Sequence, residues 1–259
     1  MLDPFFAGVG GLLSADIAVP EHEREMRFYS SVLTTGPGPL WRPDLMNSLG
    51  TPIIGLGVRV PEYSHLPLQW MPHIQVADVA QSAERALELG GKELMHGKDD
   101  GGQSQWAVFL DPNGAAFGMI PVVPAEGAPP TGGVAAQAGR ISRLDLTLPD
   151  APVARDFYSQ VIGWSVQEVD AVDADGPYTD YSMLGFGGKP AACIHHARGV
   201  NANRPPVWLI HLPVGDLDES LRRVPQEGGQ VIASPGGDGE QACAVVQDPI
   251  GAYLAIARA

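Results

Sequence analysis

Basic residues are scarce in this 259-residue chain: 16 lysines and arginines stand against 30 aspartates and glutamates, a formal net charge of -14. That deficit argues against nucleic acid and anionic membrane surfaces as partners, because both are bound through basic patches. Cysteine is rarer still. Cys193 and Cys243 sit in apolar, strand-like text, where each reads as a buried free thiol of a reducing compartment, and a cytoplasmic location is expected. No apolar run reaches the roughly 20 residues that span a bilayer. The apolar N-terminus is interrupted by Asp3 and Pro4, and its first basic residue is Arg24, so it lacks the charged start of a signal peptide. Phosphate-binding loops, Gly-x-Gly-x-x-Gly after a strand and Gly-x-Ser-x-Gly are all missing, which leaves nucleotide cofactors without a seat. No cofactor is expected.

What is present is a repeat. Residues 140–164 read as strand, cap and helix: Leu144, Leu146 and Leu148 alternate with Asp145 and Thr147, Asp150 offers an N-cap, and Ala154, Phe157, Tyr158, Val161 and Ile162 recur at helical spacing. Asp16, Ile17, Pro20, Phe28, Tyr29, Ser30 and Val32 match Asp145, Leu146, Pro149, Phe157, Tyr158, Ser159 and Val161 at an offset of 129. Trp70, His73, Val76, Asp78 and Gly90-Gly91 match Trp208, His211, Val214, Asp216 and Gly228-Gly229 at 138, and Asp111-Pro-Asn-Gly-Ala matches Asp248-Pro-Ile-Gly-Ala at 137. Three anchors in one order, twice, mark a tandem duplication.

The expected organisation is an N-terminal arm (1–11) with Phe5 and Phe6 as docking side chains, a first domain (12–120), a Pro/Gly/Ala linker (121–139) and a second domain (140–259). Each domain should hold two strand–helix–strands modules. Pro225 falls where the first repeat has Leu87, so the last helix is expected to be shorter or kinked.

Asp-Leu-Thr-Leu-Pro-Asp, Phe-Tyr-Ser-x-Val, Trp-x-x-His-x-x-Val and Asp-Pro-x-Gly-Ala together resemble the vicinal oxygen chelate superfamily, the glyoxalase, bleomycin-resistance and extradiol-dioxygenase group. Within it the chain is most similar to two-domain actinobacterial proteins labelled glyoxalase-like or hydroxylase. The resemblance covers nearly everything outside arm and linker. It implies an α+β fold of tandem domains, each of two βαβββ modules forming a cupped mixed sheet with helices outside and a ligand cavity inside.

The superfamily's metal ligands, carried over by position, fall on Ser14, Met71 and Gly118 and on Arg143, Leu209 and Ala255. Only Ser14 is even a marginal ligand, so no metal site is expected. In the resembling fold Asp16, His73, Asp145 and His211 face the cups, either as acid/base groups or as structural pairs bonded to one another. Trp41, Tyr178, Tyr181, His195 and His196 lie where the middle strands would line a cavity, and Tyr253 lies on the last strand. Trp70, Trp208, Phe28, Tyr29, Phe157 and Tyr158 read as packing residues. Arg143 beside Asp145 makes the second cup the better candidate for an anionic ligand group. Two functional classes follow. One is metal-independent binding of a small aromatic or apolar metabolite by a monomer or homodimer. The other is a cofactor-free or metal-dependent isomerase, lyase, cyclase or dioxygenase/hydroxylase-like enzyme of small-molecule or secondary metabolism.

Overall fold

In the computed structural model, residues 4–124, 138–236 and 242–259 are described. The chain order is β1 (Leu12–Val19), α1 (His22–Leu33), β2 (Ile54–Val58), β3 (Met71–Val76), α2 (Val79–Glu88), β4 (Lys92–Lys98), β5 (Ser104–Leu110), β6 (Ala116–Pro121), β7 (Arg143–Leu148), α3 (Ala151–Ile162), β8 (Ser165–Asp173), β9 (Gly176–Gly185), β10 (Lys189–His196), β11 (Leu209–Val214), α4 (Leu217–Gln226), β12 (Gln230–Gly236), β13 (Cys243–Gln247) and β14 (Tyr253–Arg258). Three modules are βαβββ, whose last strand runs parallel to the first and pairs with it: β6 with β3, β10 with β7, β14 with β11. The first module departs from the expectation. It has only β1, α1 and β2, and β2 pairs in parallel with β1. Pro37, Pro39, Pro43 and Pro52 interrupt the intervening chain, and a proline has no N–H for a strand ladder. Among the described residues no helix is long and apolar enough to cross a membrane.

The repeats and the compact bodies divide the chain differently. One compact unit is Met1–Leu13, Met71–Ala128 and Arg143–Trp208; the other is Ser14–Trp70, Pro129–Ser142 and Leu209–Ala259. Each unit therefore joins one module of each repeat. In the first, α2 packs on α3, and in the second α1 packs on α4. Most of the linker expected at 121–139 lies outside the described residues.

The motifs that announce the repeat meet in these units. In the first, the Trp208 indole N–H donates to the Tyr158 hydroxyl at 2.8 Å, and that hydroxyl donates to Asp111 Oδ2 at 3.2 Å. Asp111 Oδ1 accepts the backbone N–H groups of Asn113 and Ala115, closing the turn between β5 and β6. The second unit repeats this with Trp70, Tyr29 and Asp248 at 3.0 and 2.8 Å, Oδ1 of Asp248 holding the turn between β13 and β14. All six side chains are buried. Burial pushes both tyrosines well above the ordinary value, and the facing aspartates add to the effect. Thus every polar atom of the joint has a partner, as a closed core requires.

Local signals hold where they were read, with three exceptions. Asp78 and Asp216 cap their helices, accepting from the N–H groups of Gln81 and Glu219. Asp150 occupies the N-cap position of α3 without a side-chain cap bond. Pro225 does not shorten its helix, since α4 has the same ten residues as α2. The proline sits in the final turn, where only one intrahelical bond is at stake. Cys193 is buried, but Cys243 is half-buried; both are free thiols.

The arm docks through its backbone as well as its side chains. Phe5 and Phe6 are buried, and the Gln75 amide donates to the carbonyls of Phe6 and Gly11 at 2.8 and 3.2 Å. The Trp164 indole donates to the Gly10 carbonyl at 2.9 Å.

Replacing Tyr158 with Phe strips partners from both the Asp111 carboxylate and the Trp208 N–H. A loss of about 1–3 kcal/mol is expected in urea unfolding, and an unchanged midpoint would contradict the joint's role. A second expectation concerns Glu25, buried on α1 where the matching position of the second repeat holds buried Ala154. Desolvation, and then the nearby Asp248, push its carboxyl up to about 8 from 4.5. A group protonated more readily when folded stabilises most below its unfolded value, so stability should fall from about pH 4.5 to 8, by on the order of 3 kcal/mol. Glu25→Ala should flatten that slope, and parallel pH profiles for the two proteins would refute the assignment.

Candidate functional site on the inner face of the second repeat

Leu144, Leu146 and Leu148 of β7 are buried toward α3, which leaves Arg143, Asp145 and Thr147 on the opposite, inner face. β10 lies beside β7 with Cys193 opposite Asp145 and His195 opposite Thr147. β9 continues the ladder, with Ser182 opposite Cys193. Strand alternation thus places Asp180, Cys193 and His195 on the same face as Asp145.

These side chains form one charged cluster. Arg143 Nε donates to Asp145 Oδ1 at 2.7 Å, and its terminal nitrogen lies 3.3 Å from His195 Nε2. His195 Nδ1 is 2.9 Å from Asp180 Oδ2, while Nε2 is 3.7 Å from Asp145 Oδ1. Asp180 Oδ1 accepts the His196 backbone N–H at 2.9 Å and lies 3.2 Å from His196 Nδ1. Arg204 reaches the other Asp145 oxygen at 3.7 Å. Burial disfavours a charged His195, but Asp145 and Asp180 outweigh it and push the imidazole up to about 11. Asp180 is held below the usual range, because His195 and the His196 N–H outweigh its own desolvation. At neutral pH the cluster therefore holds Arg143, Arg204 and His195 as cations against Asp145 and Asp180, one positive charge in excess.

Of the residues singled out from sequence, Arg143, Asp145 and His195 come together. Tyr178 shares their strand face by alternation, with its ring 5.7 Å from that of His196 and Arg198 stacked 4.5 Å above it. Tyr181 does not line this face. It pairs with Ile194 on the helix side, buried beneath Arg155 of α3. Trp41 is likewise packing, buried in the second unit with its indole donating to the Pro213 carbonyl at 2.8 Å. His73 lies over Gly118, its register partner, so that a Cβ added there would stand 2.5 Å from His73 Cδ2. Asp16 lies over its own partner, Gly55. His211 is buried opposite Ala255, and Tyr253 is half-buried opposite Gln247. Sequence reasoning missed Asp180 and Arg204. Asp180 alternates with Tyr178 and Ser182 and was legible as an inward acid, whereas Arg204 lies in a loop with no periodicity.

Of the six positions carried over from the superfamily's metal site, five hold no side chain suited to a hard divalent ion. Met71, Leu209 and Ala255 are buried and apolar, Arg143 is a cation bonded to Asp145, and a glutamate at 118 would collide with His73. Among the described residues one trio, Asp145, Cys193 and His195, has ligand atoms within 4.8 Å of one another. The guanidiniums of Arg143 and Arg204 stand beside the same Asp145 carboxylate, so a metal held there would compete with two cations for it.

This cluster sits on a module of parallel-paired βαβββ strands, and the fold is that of the vicinal oxygen chelate superfamily. Residues 14–120 and 143–257 each match the family described as the glyoxalase-like domain, and the chain belongs to that family. Among curated relatives, the anthracycline biosynthesis protein DnrV of Streptomyces peucetius is 28% identical over 191 residues, 74% of this chain and 66% of that protein. The chain thus spans just under two thirds of that relative's length. The putative glyoxylase CFP32 of Mycobacterium tuberculosis is 26% identical over 194 residues, 74% of this chain and 70% of CFP32. Among solved structures, the Mn(II)-bound glyoxalase from Novosphingobium aromaticivorans superposes with a TM-score of 0.56 at 16% identity, covering 98% of this chain and 83% of that one. A catechol 2,3-dioxygenase gives 0.54 at 14%, covering 98% and 94%. At such identities these structures speak to the fold alone.

The protonation of His195 is directly measurable. In a pH titration followed by NMR of the imidazole carbons, its signal should stay at the imidazolium position from about pH 6 to 9, whereas an unperturbed ring titrates near 6.5. A midpoint near 6.5 for His195 would overturn the charge assignment. In stability, its contribution is complete below about 6.5 and is lost as pH rises toward 11.

Proposed function

We propose that this protein binds a small, aromatic or apolar metabolite on the inner face of the second repeat, without a metal, and acts by holding that compound rather than by transforming it. The observation that carries this reading is the Arg143–Asp145–His195–Asp180 cluster. Its Arg143 stands where the superfamily's first metal ligand would stand, and its four charges balance one another, leaving that of Arg204 in excess. Asp145 is ringed by cations and Asp180 is held ionised by His195, so both are poor bases. His195 keeps its proton too firmly to exchange it near neutral pH. A scaffold of fixed charges beside apolar strand positions suits recognition better than proton transfer. A relative named as an anthracycline biosynthesis protein makes aromatic secondary metabolites the sensible first ligands to try.

Two measurements test this together. Elemental analysis of protein purified without chelators should find less than about a tenth of an equivalent of iron, manganese, nickel or zinc, and added metal should not raise ligand affinity. Thermal-shift screening of an aromatic metabolite panel should identify binders, and chromatography should recover them unchanged after prolonged incubation. Stoichiometric metal, or conversion of a bound compound, would replace this reading with an enzymatic one.

A further inference from the structure

The geometry points to Arg204 as the residue that holds a monoanionic, planar oxygen group of the ligand, a carboxylate or an ionised phenol or enol, with Arg143 acting as the clamp on Asp145. This inference rests on the binding reading above and names the chemical class of the ligand. Arg143 is the guanidinium the sequence brings forward, yet its Nε is engaged by Asp145 at 2.7 Å and its terminal nitrogen abuts His195 at 3.3 Å. Arg204 differs. Its guanidinium has one partner among the described residues, Asp145 Oδ2 at 3.7 Å, too long for a hydrogen bond. Its side chain is only 22% exposed and makes no hydrogen bond to a described residue, so its N–H donors remain open to an outside oxygen.

The loop carrying Arg204 is held in place. Arg198 makes a two-pronged bond to Asp173 at 3.0 and 2.8 Å and stacks on Tyr178. The Asn201 N–H bonds the Arg198 carbonyl, the Arg204 N–H bonds the Asn201 carbonyl, and Pro205 is buried. The guanidinium is therefore positioned before any ligand arrives, which lowers the entropic cost of binding. Thr147 supplies a second, independent observation. Its hydroxyl is buried, with the residue 1% exposed, and has no hydrogen-bond partner among the described residues. It lies opposite His195 on the same face, where an oxygen-bearing ligand would satisfy it. The single positive charge in excess matches a monoanion, and the guanidinium fork matches two coplanar oxygens. A phosphate dianion would leave a negative charge uncompensated.

The test uses the full chain and two near-isosteric pairs of probes in which a neutral amide replaces the carboxylate, 2-naphthoate with 2-naphthamide and salicylate with salicylamide, followed by calorimetry or ligand-observed NMR. Wild-type protein should bind each carboxylate about tenfold or more tighter than its amide, the lower end of a charge-assisted hydrogen bond. Arg204→Gln should reduce the carboxylate to the affinity of the amide and leave the amide unchanged. Arg222→Gln, on the exposed side of α4, should keep the full preference. If Arg204→Gln melts below the assay temperature, Arg204→Lys takes its place, and a preference reduced by at least about threefold is expected because the fork is lost while the charge remains. Equal binding of carboxylate and amide by the wild type, or an undiminished preference in the Arg204 variant, overturns this inference and leaves the binding reading standing. Failure of both members of both pairs and of the whole metabolite panel overturns the two together.

Discussion

A buried carboxylate cannot be left without partners, and the architecture of this protein is arranged around that constraint at two aspartates. Asp111 and Asp248 each use one oxygen to close their own turn and offer the other to a tyrosine hydroxyl on a helix of the opposite repeat, which a tryptophan N–H then completes. Removing any member exposes an uncompensated dipole to a closed core, where it costs far more than it would in water. The glycine pairs belong to the same joint. A Cβ at Gly91 would stand 3.3 Å from the Phe157 ring, and one at Gly229 would stand 2.6 Å from that of Phe28. The motifs that repeat along the chain are thus parts of one packing device used twice.

Once those residues are assigned to the scaffold, the two repeats differ in what remains. Asp16 and Asp145 occupy matching places, but the first faces glycine while the second faces Cys193 within a ring of Arg143, His195 and Arg204. The difference follows from strand number. The partners of Asp145 sit on β10, β9 and the loop beyond, and the first module has no counterpart to β9 because a proline-rich segment replaces its middle strands. An electrostatic cluster of this kind needs neighbouring strands to supply partners at hydrogen-bonding distance.

The outermost strands, β4, β8 and β12, carry no clear periodicity in the sequence, and they share a physical reason. Each follows its helix and lies at the outer end of its ladder, and β8 is exposed along nearly its whole length. A strand with no buried face carries no apolar alternation to detect. Central strands such as β3, β7 and β11 were legible because they bury at least one side completely. Asp180 shows the intermediate case: its alternation was visible on β9, but its importance depended on His195, fifteen residues away and adjacent only across the ladder.

Period-two and helical patterning, capping aspartates and the duplicated motifs determined the α+β class, the tandem repeat and most inner strands, because these are local signals written within a few residues of one another. Only the tertiary structure decided that each compact unit draws one module from each repeat, that Tyr29 and Tyr158 bond the turn of the other repeat, and that Arg204 stands beside Asp145. Those facts are long-range pairings between side chains 47 to 219 positions apart. Burial and hydrogen-bond geometry select such partners in space, and no periodicity along the chain encodes them.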